Sequence, residues 1–239
     1  MKKTPLILSL AFSILVFAAA DVRAQQTVYT KPDDAIRTMP VEGPGVEDFV
    51  PKGWEVVSRA DGGGDLNGDN LGDVGLAIGL NEDMREMLDD GESPPYIVVV
   101  LFAKKEGGYR RFAVNGKLYP KFGGDAPIDL KIEKRGGGVL TTNQNFRDGW
   151  AVDVTYRFRY HRAADRLMLI GFDLERYNRA DIYAGNKVSE NYLTGTKIEY
   201  AKSSRSRKTS VYSETSRRRI PRSRTSFEDT TFFEHVDVD

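Results

Sequence analysis

The chain has no cysteine among its 239 residues, which excludes a disulfide framework, a Cys-ligated zinc site and a thiol for lipid attachment. Histidine is nearly as scarce, with His161 and His235 the two copies, so paired-histidine zinc hydrolase arrangements are excluded as well. There is no G-x-S-x-G nucleophile turn, and neither Gly62-Gly63-Gly64 nor Gly136-Gly137-Gly138 leads into a helix as a phosphate-binding loop must. An excess of one charge is also missing: 35 Lys+Arg balance 35 Asp+Glu, and the chain as a whole demands no strongly charged partner. Carboxylate-pair glycosidase chemistry survives these exclusions, because it needs only two acids at a suitable separation.

The first 24 residues differ in kind from the rest. Lys2 and Lys3 precede an apolar run from Leu6 to Ala20, and Val22-Arg23-Ala24 follows with small side chains at the positions a signal peptidase reads. The run is shorter than the roughly 20 residues that span a bilayer, so residues 1–24 read as a cleaved secretory signal and not as an anchor. The mature chain from Gln25 is then expected in the periplasm or outside the cell, not spanning a membrane. Residues 25–45, with Pro32, Pro40 and Pro44 and little periodicity, read as an extended lead-in.

One domain is expected over residues 46–200, a length that buries roughly 70% of the surface its unfolded chain exposes. Its clearest strand is Trp150 to Tyr160, where Trp150, Val152, Val154, Tyr156, Phe158 and Tyr160 alternate with Ala151, Asp153, Thr155, Arg157 and Arg159. A polar turn over Arg162 to Asp165 returns the chain into Leu167 to Leu174, and Ile128 to Ile132 followed by Val139 to Asn143 precede the pair. The first half yields Trp54 to Ser58, Val74 to Leu80, Ile97 to Ala103 and Tyr109 to Val114, with Gly107-Gly108 as the turn of the last pair. A short helix is expected over Asn81 to Leu88, from Met84, Met87 and Leu88 at helical spacing. Two antiparallel meanders of four strands predict an all-β sandwich or partly open barrel. Too few strands are present for a propeller, and no internal repeat supports one.

From residue 201 the composition changes again. All nine basic residues of the last 39 fall between Lys202 and Arg224, and apolar residues are sparse before Phe227, Phe232 and Phe233. Such a segment predicts a disordered Ser/Arg-rich tail over 201–239. Its basic run suits non-specific contact with an anionic surface, and export argues against nucleic acid as the partner.

The stretch Gly64-Asp65-Leu66-Asn67-Gly68-Asp69-Asn70-Leu71-Gly72-Asp73 carries the chemistry. It offers oxygen donors from the side chains of Asp65, Asn67, Asp69 and Asp73 and from the Leu71 carbonyl, the hard-oxygen set that calcium takes. An EF-hand would need glutamate at the twelfth position, where this chain has Leu76 within an apolar strand. The loop and the strand after it instead resemble the calcium loop of FG-GAP and VCBS-type repeats, Asp-x-Asp/Asn-x-Asp-Gly-x-x-Asp, with Asn70 where that family usually has glycine. Asparagine is among the residues that tolerate a left-handed backbone. More broadly, Phe49-Val50-Pro51-Lys52-Gly53-Trp54, the acidic loop, Trp150 with Tyr156-Arg157-Phe158, and Ser189 to Gly195 resemble a group of exported bacterial proteins of unknown function, over about residues 46–200.

The resulting expectation is an exported, non-catalytic β-domain stabilised by calcium, acting as a binding or envelope-associated structural module. Its partner is an envelope protein or carbohydrate. The competing expectation is a periplasmic hydrolase of polysaccharide or cell-wall material using paired carboxylates. His161 reads as a strand-end surface residue, Trp54 and Trp150 as core, and Arg157 and Arg159 as the wet face of their strand.

Overall fold

The computed structural model describes residues 30–89, 93–119, 128–133, 138–148, 150–178, 180, 184–206 and 209–231. The signal segment, the glycines at 136 and 137 and His235 lie outside them. The architecture is all-β with two antiparallel sheets that do not close into a barrel. Among the described residues no helix is long and apolar enough to cross a membrane.

The first sheet contains β1 (Glu42–Gly43), β2 (Trp54–Gly64), β3 (Asp73–Leu80), β4 (Tyr96–Ala103) and β5 (Tyr109–Asn115), in the order β1-β5-β4-β3-β2. The second is a continuous meander of β6 (Ile128–Glu133), β7 (Val139–Asp148), β8 (Trp150–His161), β9 (Arg166–Asn178), β10 (Gly185–Asn191), β11 (Thr196–Ser206) and β12 (Thr209–Arg219). Among the described residues there are two α-helices, α1 (Pro32–Thr38) and α2 (Glu82–Arg85), the latter capped by the Asn81 side chain accepting from the Met84 N–H at 3.1 Å, and a 3-10 turn over Val46–Phe49. The helix expected to reach Leu88 is a single short turn.

The two sheets face each other across a shared core. Val98, Val100 and Phe102 of β4 pack with Leu130 of β6, Leu140 of β7, Tyr156 and Phe158 of β8 and Phe172 of β9. On β3 the positions facing this core are small: a Cβ on Gly75 would lie 3.1 Å from Leu140 Cδ1, and Ala77 is fully buried beside it. Small residues there let the second sheet approach closely, and at one margin the edge strands meet, with the Leu130 N–H donating to Ser58 Oγ at 3.2 Å.

β3 and β4 read as nearly continuous apolar runs because both their faces are covered. The second face, with Leu76, Ile78, Ile97, Val99 and Leu101, packs against Ala35, Met39, Phe49 and Trp54. The lead-in over 25–45 is therefore corrected where it is described: α1 and β1 are built from it, and Arg111 Nη1 donates to the carbonyls of Ile36 at 3.1 Å and Met39 at 2.8 Å. Proline at the start of α1, where no intrahelical N–H is needed, begins a helix that the proline count alone reads as a break.

The disordered tail expected from residue 201 is corrected over most of its length. Residues 196–206 and 209–219 are the last two strands, and the chain then returns across β9, with the Phe227 N–H donating to the Leu167 carbonyl at 2.8 Å. Phe227 is fully buried, its ring edge-on to Phe158 at 5.0 Å. Backbone pairing to a strand already in place orders a polar segment that has too few apolar side chains to form a core of its own. Lys202 adds to this: its side chain is 10% exposed, with Nζ 3.4 Å from Glu175 and 4.5 Å from the Tyr177 ring centroid.

Candidate metal loop

The loop from Asp65 to Gly72 joins β2 to β3, and its shape follows from its short polar side chains. Asp65 accepts through Oδ1 from the N–H groups of Gly68 at 2.6 Å and Asp69 at 3.2 Å, and through Oδ2 from Asn70 at 2.8 Å. Asn67 Oδ1 accepts from Asp69 N–H at 2.9 Å, and Asp69 Oδ1 from Leu71 N–H at 2.8 Å. These are the local side-chain-to-backbone bonds by which Asp and Asn fold turns. Gly68 has φ 83° and Asn70 φ 65°, so asparagine does take the left-handed conformation where the repeat families place glycine.

Asp73 closes the loop as the first residue of β3. It is 1% exposed, and its two oxygens accept from Leu66 N–H at 2.7 Å and from Ala103 N–H at 3.1 Å, tying the loop to the end of β4. Burial pushes its carboxyl up to about 6, the two backbone N–H groups oppose that rise, and the neighbouring charges of Asp69 and Asp65 add to it. Among the described residues no ion pair reaches Asp65, Asp69 or Asp73.

The base of the loop is fixed by close approach. A Cβ on Gly64 would overlap the Ile132 side chain of β6, and one on Gly138 would overlap the backbone of Asp65 and Leu66. Of the glycines at 64, 68 and 72, Gly68 alone takes a positive φ, and Gly64 is needed for space.

The donor set suits a hard cation: three carboxylates, the Asn67 amide oxygen and the Leu71 carbonyl, with no nitrogen or sulfur. The arrangement is less complete than the chemistry. Among the described residues no group of three or more His, Asp or Glu side chains is gathered as a metal site. Asp65 and Asp69 are turned onto loop N–H groups, and Asp73 onto Leu66 and Ala103.

Other sequence candidates resolve as structural. His161 Nδ1 accepts from Ala164 N–H at 3.2 Å within its hairpin turn, Arg157 Nη2 pairs with Asp173 at 2.7 Å across the outer face, and Trp54 lies in the second core. Two contacts of the loop had no sequence signal, the Ala103 N–H and the approach of the Arg162 guanidinium to Gly68, since both come from hairpins distant in the chain. No protein-family model, no curated protein and no solved structure matches the chain.

Proposed function

We propose that this chain is an exported, non-catalytic β-sandwich module that takes calcium at the 65–73 loop and serves as a binding or envelope-associated structural element. The observation that carries the reading is Asp73: a buried carboxylate beside two further acids, with no basic side chain paired to any of the three among the described residues. A divalent cation offsets both the desolvation of Asp73 and its repulsion from Asp65 and Asp69. Because the carboxylates accept from backbone N–H groups, binding the ion requires Asp65 and Asp69 to share or exchange those partners, so affinity and loop conformation are coupled. Export rests on the character of residues 1–24, and the role as a module on the sandwich and on the structural places taken by His161, Arg157 and Trp54.

The test is a thermal melt of the purified protein in millimolar Ca²⁺ and then in EDTA, beside the Asp65→Ala and Asp73→Ala variants. An ion that binds only the folded state at about 100 times its dissociation constant adds about 2.7 kcal/mol, a rise of several degrees. Calcium that leaves the wild-type midpoint unchanged removes the ion from the proposal.

A further inference from the structure

The arginine-rich end of the chain exposes Arg217, Arg218 and Arg219 and packs Ile220 against the shared core. It forms the margin of the larger sheet. β12 is the terminal strand there and pairs with β11 alone among the described residues. Its 11 residues therefore offer an outer row of main-chain N–H and C=O groups, a template for an added strand.

The side chains on this edge select what joins it. Arg217, Arg218 and Arg219 are consecutive, so their guanidinium groups leave the strand on both faces of the sheet. Arg217 and Arg218 side chains are 57% and 62% exposed, and Arg222 just beyond is exposed too. β12 sets three arginines against the single acid Glu214, so pairing with a second copy of itself brings together two strands of the same net sign.

Glu214 shows the partner that fits. The register shift between Glu199 and Tyr200 sets Tyr200 opposite Glu214 and Glu199 opposite Ser216, leaving Thr215 as an extra residue. That insertion turns Glu214 and Arg217 to one side, where Arg217 Nε and Nη2 donate to the two carboxylate oxygens at 2.9 and 2.8 Å. On the opposite face Arg218 has Glu199 at 3.9 Å, while Arg219, on the same face as Arg217, donates to the Thr194 carbonyl at 3.0 Å. Both faces thus retain cationic side chains beside an open edge.

We propose that β12 is a docking edge for an acidic, extended peptide segment of a partner protein, which adds as a further strand while its carboxylates meet Arg217, Arg218 and Arg219. Main-chain hydrogen bonds supply affinity in such an addition and side chains supply selectivity. The inference is independent of calcium at the 65–73 loop.

The test uses the full chain and three labelled synthetic peptides read by fluorescence anisotropy. One is a short peptide of valine, threonine and glutamate, one replaces glutamate with lysine, and one is the acidic peptide N-methylated on alternate amides. The acidic peptide is expected to bind and the other two to fail. R217S/R218S/R219S is expected to weaken binding by about tenfold, consistent with three exposed ion pairs. R218S alone breaks no close contact and keeps the test open if the triple variant melts early; it is expected to weaken binding severalfold. Equal binding of the methylated and unmethylated acidic peptides overturns the proposal, since the edge then attracts anions without pairing strands. Displacement by phosphatidylglycerol vesicles or an oligonucleotide at equal charge overturns it in the same way. Absence of binding, or binding unchanged in both variants, overturns it outright.

Discussion

The Asn115 side-chain amide donates to the Thr230 carbonyl at 2.9 Å, and also to the Phe227 carbonyl, so the last residue of β5 holds a segment 115 positions later in the chain. The amide is buried, and both acceptors are carbonyls that a shorter side chain leaves without it. Asn115→Ala is expected to cost about 2 kcal/mol, with a comparable loss in Asn115→Asp, which offers no donor. Urea denaturation checks this, and protease cleavage after Arg222 or Arg224 is expected to accelerate in both variants.

Phe227 provides a separate check on the same segment. Its side chain is fully buried between the sheets, so Phe227→Ala is expected to lose about 3–5 kcal/mol and Phe227→Leu markedly less. Equal stability of Phe227→Ala and wild type in denaturant titration contradicts the packing described here.

Asp73 fixes a pH dependence. Its carboxyl is raised from 3.8 to about 6 in the folded protein, so protonation favours the folded state. The contribution is complete below about pH 3.8 and is lost as pH rises through about 6, an effect of up to about 3 kcal/mol. In EDTA the wild type is therefore expected to gain stability relative to Asp73→Asn on going from pH 7 to pH 5. Saturating calcium, which favours the ionised carboxylate, should flatten that difference. Parallel melts of the two proteins across this range, with and without the ion, measure both effects.

Lys202 sits over the Tyr177 and Tyr212 rings, at 4.5 and 5.4 Å from their centroids, while Tyr212 donates its hydroxyl proton to Glu175. Lys202→Met keeps most of the apolar stem and removes the charge, leaving Glu175 without its ammonium partner. About 1–2 kcal/mol of destabilisation is expected, and Lys202→Met/Glu175→Gln should recover part of it. A double-mutant cycle by denaturant titration measures the coupling.

Gly64 tests the fit of the loop base. Gly64→Ala forces a Cβ into Ile132, for an expected cost of about 1–3 kcal/mol, and Ile132→Ala in the same protein should relieve the clash while adding its own cavity. Non-additive melting midpoints are the signature.

Much of the fold was legible in the residues. The eleven-residue alternation ending at Tyr160 became β8, with Val154, Tyr156 and Phe158 buried as the period of two requires. The turn at Gly107 and Gly108, both at positive φ, and the polar turn before β9 also follow from composition. Three features escaped. α1 was hidden by prolines that begin a helix as readily as they end one. β10 to β12 have weak alternation, because polar side chains such as Lys202 and Glu175 satisfy one another across strands where apolar ones would normally pack. The return of Phe227 to the core is a long-range contact with no local signature. At the loop, residue types and turn geometry were readable, including the left-handed Asn70, whereas the tie of Asp73 to Ala103 and the close approach of Gly138 to the Asp65 backbone come from elsewhere in the chain.

The position of Phe227 has a consequence for the timing of synthesis. The Phe227 side chain fills the space between two sheets, and every strand of both precedes it in the chain. Until that residue has left the ribosome, the sandwich lacks one of its largest interior groups and stays short of its final stability. A core that waits for a side chain made after both sheets stays pliable until that side chain arrives.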